Sequence, residues 1–232
     1  MWLSILGVLK AFLLRSSCGC DMVKAMATDA VEYKRDKKIP VITISRQSGS
    51  GGKLVADMLA KKLGKPWKTY DREILDQIAK VANVREDLLD SLDERTIGLF
   101  EQLTRSILGM EYIGRRAFSR HLVQTILAIG HKGHAIILGR GGNFILPWAF
   151  NVRIIASFDT RVERMMHYEK MSIEKARASL KEWDAERAEF VREIYSRNID
   201  RPWHYCLMIN TDTISVEKAA DLITASYKEK FK

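Results

Sequence analysis

The chain has 232 residues, of which 47% are hydrophobic, and it carries a formal net charge of +9. This length is typical of one large domain or of a domain with an insert, and the apolar content is enough for a full core, which excludes a disordered chain. The positive charge suits an anionic ligand, namely a nucleotide, a nucleic acid or a membrane surface, although a solvated basic surface gives the same balance. The cysteines, Cys18, Cys20 and Cys206, have neither metal-ligand spacing nor a disulfide pattern, which favours a reducing, cytoplasmic location.

Residues 1–38 are predicted to form an N-terminal extension. The segment from Trp2 to Leu14 is apolar apart from Lys10, but it is too short to cross a bilayer and lacks the basic start of a signal peptide. Met22 and Met26 follow it, and the natural chain could begin at either. The segment could instead be a loosely held amphipathic appendage or a weak membrane anchor. We therefore assign no function to it and expect no membrane partner.

A strand, a glycine-rich turn and a helix follow one another from Val41 to Leu63. The β-branched run before Arg46 predicts a buried strand, and apolar residues at three- and four-residue spacing predict a helix from Gly52 to Leu63. Glycines let backbone N–H groups turn inward, and a helix N-terminus adds further donors. The arrangement therefore predicts a loop that binds the phosphates of a nucleotide, with an ordinary glycine-rich turn as the alternative.

The loop departs from the standard phosphate-binding pattern G-x-x-x-x-G-K-[ST]. If Arg46 takes the first glycine position, Gly51 fits the second, Gly52 stands at the lysine position and Lys53 at the hydroxyl position. Either Lys53 contacts the phosphates from one residue further along, or the cation comes from elsewhere in the chain.

The rest of the chain alternates between helical and strand patterns. One helix is predicted to start at Asp71, further helices lie in an insert at about 85–112, and another runs from Arg115 to a stop at Gly130. Three more helices are predicted to begin with Asp159, Ser172 and Ser215 as their caps. Strands are predicted at 134–138, 152–156 and 206–209. Because short buried strands alternate with helices, the sequence predicts an α/β fold, a parallel sheet with helices on both faces.

From about Ile39 onwards the chain resembles the cytidylate kinase-like family, a branch of the P-loop nucleoside monophosphate kinases. The resemblance rests on segments in the same order: a variant phosphate loop at 42–53, a substrate-side helix start at 70–75, a strand and turn with an arginine at 136–142, two sides of an arginine-bearing lid at 159–164 and 184–187, and a loop bordering the adenine at 210–215. It implies a three-layer P-loop kinase fold for residues 39–232, with the helical insert and a lid at about 161–195.

The resemblance also implies a reaction and the residues that carry it. ATP, with Mg²⁺, would donate its γ-phosphoryl group to a nucleoside monophosphate, with CMP or dCMP as the leading acceptor, or to a related small molecule. Phosphoryl transfer requires mainly charge neutralisation and alignment. The implied catalytic residues are Lys53, Arg161, Arg164 and Arg187. Those for the nucleotide are Arg46, Gln47, Ser48, Gly49, Ser50, Gly51, Gly52, Lys53, Leu54, Arg161, Thr211 and Asp212, and those for the acceptor are Asp71, Arg120, Arg140, Asp184 and Arg187; the metal ligands remain unassigned.

Other interpretations stay open. Gly52 and Gly141 stand where cytidylate kinases carry lysine and aspartate, and Arg72 replaces a small polar residue, which leaves both activity and acceptor undecided. The arginines could also form helix ion pairs, and the aspartates could be simple caps. A non-catalytic nucleotide sensor or scaffold is the second hypothesis. A basic nucleic-acid-binding module is the third, but no known motif supports it, and we expect no nucleic-acid partner.

Overall fold

The computed structural model describes residues 39–80, 94–108 and 116–231, together with Leu89 and Leu92. Ile39–Lys232 form one compact unit by their contacts. The predicted extension at 1–38, and the predicted insert at 85–112 outside Glu94–Leu108, Leu89 and Leu92, lie outside the described residues. In the part of the chain that is described, no helix combines the length and apolar character needed to cross a membrane.

A five-stranded sheet forms the centre of the fold, and all of its neighbouring strands run parallel. Its spatial order is β2-β3-β1-β4-β5, with bounds β1 Val41–Arg46, β2 Lys68–Tyr70, β3 Ala135–Leu138, β4 Phe150–Ile155 and β5 Leu207–Asn210. In the central strand, Ile42 lies opposite Ile136 on one side and Phe150 on the other. Because β1 is central, the loop that follows it opens at the middle of the sheet edge formed by the carboxyl ends of the strands.

Helices cover both faces of the sheet: α1 Gly52–Leu63, α2 Arg72–Lys80, α3 Glu94–Leu108, α4 Arg116–Lys132, α5 Gly142–Ile145, α6 Phe158–Glu169, α7 Ile173–Tyr195 and α8 Val216–Lys230. Ile42 and Ile44 share a buried cluster with residues of α1 and α8. Thr43 points the other way, towards α5, because side chains alternate across a strand. The predicted three-layer α/β architecture is confirmed.

The sheet contains one strand more than the sequence pattern predicts. β2 has three residues and pairs with β3 at the edge of the sheet, where Lys68 lies opposite Ala135. A segment this short carries no periodic signal, so only its pairing with a neighbour reveals it. The short α5 and a 3-10 turn at Pro202–His204 were missed for the same reason.

Two predicted helix boundaries are wrong. Gly130 lies inside α4, and the glycine after the helix end is Gly133, with φ of +78°. Gly130 instead makes room for Leu146, whose Cδ2 would lie 2.7 Å from an added Cβ. Asp159 does not cap α6, because Ser157 takes that position and accepts the N–H of Thr160. Asp159 lies in the first turn and pairs with Arg177.

The two predicted serine caps are confirmed. Ser172 accepts the N–H of Lys175 at the start of α7, and Ser215 accepts the N–H of Lys218 at the start of α8. Capping satisfies one of the N–H groups that have no partner within the helix.

Candidate active site

The loop between β1 and α1 has the backbone geometry of an anion-binding turn. Gly49 and Gly51 have φ of +73° and +81°, in the left-handed region that favours glycine. The Ser50 hydroxyl donates to the Gln47 carbonyl at 2.8 Å, and the Thr211 hydroxyl donates to the Ser50 carbonyl at 2.9 Å. α1 begins at Gly52 without a side-chain cap. Its first N–H groups are therefore left to bind an anion.

The helix pair α6–α7 closes over this loop at Ser48. The Asp184 carboxylate accepts the backbone N–H of Ser48 at 2.9 Å and also pairs with Arg161. Arg161 donates to the Ser48 carbonyl at 3.2 Å, and Arg187 donates to the Ser48 hydroxyl. Three of the predicted lid residues therefore meet at one residue of the predicted phosphate loop.

A cleft of about 500 Å³ lies beside the loop, at the carboxyl ends of β1 and β3. Among its lining residues are Arg46, Arg72, Arg140 and Arg187, against the carboxylates Glu73 and Glu186. Burial, together with the neighbouring charge of Arg187, lowers the pKa of Arg46 to about 10, so this guanidinium is protonated at neutral pH. Crowded positive charge in a partly buried cleft favours a bound anion.

Arg140 is held firmly at the wall of this cleft. Its guanidinium donates to both oxygens of Asp76, with Nε to Oδ1 at 2.8 Å, and it stacks over the Phe190 ring at 4.7 Å. The Tyr195 hydroxyl donates to its carbonyl at 2.7 Å. An arginine fixed in this way can present its remaining N–H donors to a phosphate.

Gly141 and Tyr195 are a matched pair. Gly141 has φ of +68°, and a Cβ at this position would overlap the Tyr195 ring. A longer side chain, such as the aspartate that cytidylate kinases carry at this position, would therefore collide with the Tyr195 ring.

The profile of the cytidylate kinase-like family matches residues 41–213, which include the loop, the cleft and the predicted lid. This chain belongs to the cytidylate kinase-like family. The parallel sheet has the order β2-β3-β1-β4-β5, and its central strand leads into the predicted phosphate loop. The P-loop kinase-like fold that the sequence predicts is therefore confirmed.

Solved structures and a curated relative match parts of this family member. An uncharacterized protein from Eubacterium ventriosum shares the fold, with a TM-score of 0.63 and 24% identity over 82% of this chain and 98% of that one. A shikimate kinase from Bacteroides thetaiotaomicron gives a TM-score of 0.45 and 12% identity over 82% of this chain and 99% of that one. A uronate isomerase from Corynebacterium glutamicum is 30% identical over 99 residues, which are 41% of this chain and 19% of that protein. The chain thus matches less than a fifth of the length of that curated relative.

Several residues that the family resemblance assigned to the site lie away from the cleft. The Lys53 side chain is 68% exposed, and its ammonium lies 3.6 Å from Asp71. Asp71 caps α2 by accepting the N–H of Ile74 at 3.1 Å. Arg120 is 54% exposed and lies 3.9 Å from Glu101, and Leu54 is exposed. The structure does not bring these side chains to the cleft; their functional roles stay predictions.

A second group of assigned residues joins the lid to the end of the sheet. Arg164 donates to the Thr211 hydroxyl at 2.9 Å and to the Thr211 carbonyl at 2.6 Å. Asp212 accepts the N–H of Ser157 at 3.0 Å, and the Gln47 side chain accepts the N–H of Ala156 at 3.1 Å. These contacts fix the position of α6, and the predicted roles of the residues towards the nucleotide stay predictions.

The sequence analysis missed residues that complete the site. Asp76, Phe190 and Tyr195 hold Arg140, and Arg72 lines the cleft as a further cation. Arg72 and Asp76 are four residues apart on α2, so helical spacing could have placed both on one face. The aromatic residues come from the far end of α7, and nothing local in the sequence links them to Arg140.

The site fits the phosphates of ATP better than it fits a protein-held metal ion. The glycine loop, the uncapped start of α1 and the lid arginines are donors suited to phosphate oxygens. Over the described ranges, no group of three histidine, cysteine or acidic residues could hold a metal. Mg²⁺ commonly relies on substrate phosphates and water with one or two carboxylates, so such a group is not required for ATP·Mg²⁺.

Proposed function

We propose that this chain is a phosphotransferase that moves the γ-phosphoryl group of ATP to a small anionic acceptor, with CMP or dCMP as the leading candidate. One observation carries the proposal: Arg187 lines the arginine-rich cleft and also donates to Ser48 of the phosphate loop. A single guanidinium thus reaches two compartments, the phosphate loop for ATP and the arginine-rich cleft for the acceptor, between which a phosphoryl group would pass. Family membership supports the kinase class and leaves the acceptor open.

Each compartment has its own role in this proposal. The loop amides and the start of α1 bind the phosphates of ATP, and Arg140, held by Asp76, binds the acceptor phosphate. Arg161 and Arg187 come from the lid and keep water away from the phosphoryl group while neutralising its charge. Bound Mg²⁺ would neutralise further charge on the phosphate oxygens. The cysteine usage makes the cytoplasm the proposed location.

A non-catalytic nucleotide sensor is the second candidate, and particular observations favour it. Gly52 supplies no lysine, Lys53 points to solvent, and the Asp184 carboxylate already takes the Ser48 N–H that a phosphate would use. A sensor would bind ATP and release no ADP with any acceptor.

The test measures ADP release from ATP·Mg²⁺ by the full chain with CMP, dCMP, UMP, AMP, GMP or no acceptor. The proposal expects acceptor-dependent release, and substitution Arg140→Met should raise the acceptor KM at least roughly tenfold, because a charge-assisted contact is lost. Arg192→Met is the matched control, since that arginine is 73% exposed on α7 and, among the residues that the structure describes, its side chain pairs only with Glu189. ATP binding without ADP release would favour the sensor, and the absence of ATP binding would refute both candidates.

A further inference from the structure

The side chain of Arg46 fills the space that a lysine at position 52 would need. A Cβ added to Gly52 would lie 2.6 Å from the Arg46 Cβ and 2.8 Å from its Cγ. Real side chains essentially never approach that closely, so the arginine stem and a side chain at 52 exclude each other. The fold therefore has room for one long cationic side chain here, and it comes from the end of β1.

The guanidinium of Arg46 reaches from the phosphate loop into the cleft. A Cβ added to Gly139, directly after β3, would overlap its Nη1 atom. Arg46 also lines the cleft together with Arg140 and Arg187. Its stem therefore lies at the start of α1, and its charge lies between the loop and the acceptor compartment.

No described carboxylate forms an ion pair with Arg46. Glu73 acts on it only at a distance, whereas Arg187, Arg140 and Arg72 oppose its charge. A largely buried charge without a partner is costly, so the site is built for an anion that the protein itself does not supply. The other candidate cation, Lys53, is 68% exposed and lies beside Asp71.

We propose that Arg46 is the residue that contacts the nucleotide phosphates in place of the standard loop lysine. The inference rests on the proposed function and assigns the role that the sequence left open between Lys53 and another cation. A planar guanidinium suits this position because it can bridge two phosphate oxygens from a strand end, where a lysine would need to start from the helix.

The decisive experiment moves the cation back to its standard position. Arg46→Gly removes the arginine, Gly52→Lys introduces a lysine against the arginine stem, and the double variant restores the pattern G-x-x-x-x-G-K. Full-length variants are compared by ATP and adenosine affinity, by ADP release with the best acceptor, and by urea unfolding to confirm folding. Arg46→Met tests the loss of charge with the stem volume kept, Lys53→Met tests the rival cation, and Arg192→Met is the control.

The proposal expects Arg46→Met to weaken ATP binding at least roughly tenfold and turnover by a hundredfold or more, on the scale of a lost transition-state donor, with adenosine affinity unchanged. The double variant should recover at least roughly a tenth of wild-type ATP affinity, which neither single variant reaches. The proposal is overturned if Arg46→Met stays within about twofold of the wild type in both readouts, or if the loss follows Lys53→Met instead. A folded double variant that binds ATP no better than Arg46→Gly also overturns it.

Failure of the proposed function can be recognised separately. If the wild type binds ATP but releases no ADP, the kinase reaction is excluded, and the ATP affinities of the variants still decide the role of Arg46. If the wild type does not bind ATP, both proposals fail together.

Discussion

At the residue scale, several glycines of the site face large side chains that leave no room for a Cβ atom. Arg46 occupies the space above Gly52 and Gly139, and Tyr195 occupies the space above Gly141. In each case a second side chain would not fit beside the large one. Arg46 brings a positive charge to the cleft, and Tyr195 brings the hydroxyl that holds Arg140. At each of these positions, the glycine and its bulky neighbour are therefore compatible only as a combination.

The pair Gly141–Tyr195 makes a prediction about stability. Gly141→Ala should lower the free energy of unfolding by about 2–4 kcal/mol, because it strains a backbone with φ of +68° and overpacks a buried ring. Gly98→Ala is the control: Gly98 lies inside α3 with nothing within 4 Å of an added Cβ, so alanine should raise stability by about 0.5–1 kcal/mol. Urea unfolding of the two variants measures both effects, and equal effects would contradict the packing argument.

At the element scale, α6 and α7, which contain the predicted lid, are joined by two ion pairs of very different burial. Arg161 is only 6% exposed and pairs with Asp184 over the phosphate loop. Arg177 and Asp159 join the same two helices at the surface, where both side chains are largely exposed. Of the two pairs, only the first also contacts the loop, so it couples the position of α6 and α7 to the proposed nucleotide site.

Removal of the carboxylate from each pair should give different results. Asp184→Ala leaves a buried guanidinium unpaired and should lower the free energy of unfolding by about 2–3 kcal/mol. It should also speed hydrogen exchange at the Ser48 amide, which loses its acceptor. Asp159→Ala should cost less than about 1 kcal/mol and leave that amide unchanged, because exposed pairs contribute little. Slow exchange at Ser48 in the Asp184 variant would mean that the lid is held by other contacts.

At the scale of the whole molecule, the excess positive charge of the chain has a focus in the arginine-lined cleft. The formal charge is +9, and arginines outnumber carboxylates among the cleft residues. Unfolding separates these charges and relieves their repulsion. A ligand that brings several negative charges into the cleft should therefore stabilise the folded state.

ATP should raise the stability of the protein by mass action. At a free concentration of one hundred times its Kd, it should add about 2.7 kcal/mol to the free energy of unfolding. Adenosine at the same concentration lacks the phosphates and should add much less, and the difference should shrink as salt is added. Thermal unfolding with each ligand measures this, and an equal shift with both would show that the phosphates do not bind in the loop.

The sequence predicts the local parts of this molecule well. The helix predicted from Gly52 to Leu63 has those bounds in the structure, because glycines stand directly before and after it. Arg140 was placed correctly at the end of a buried strand. These features depend on neighbouring residues, which is the range over which periodicity and turn residues carry information.

The parts that the sequence could not give depend on contacts between distant segments. The edge strand β2 exists through its pairing with β3, and Arg140 is held by side chains from α2 and α7. Arg46 illustrates the same limit within a short segment: the residue pattern does not reveal that its stem fills the space beside Gly52. Such complementarity of volume leaves no periodic pattern in a single sequence.

The central position of β1 also has a consequence for synthesis on the ribosome. Its partners begin at Ala135 and Phe150, so Val41 and Ile42 are made long before the strands that flank them. The delay is roughly ninety residues, or about 5–20 s at ordinary elongation rates. During that interval an apolar strand has both edges open, as a template for pairing with other nascent chains. A chaperone that covers this strand during synthesis would prevent such pairing.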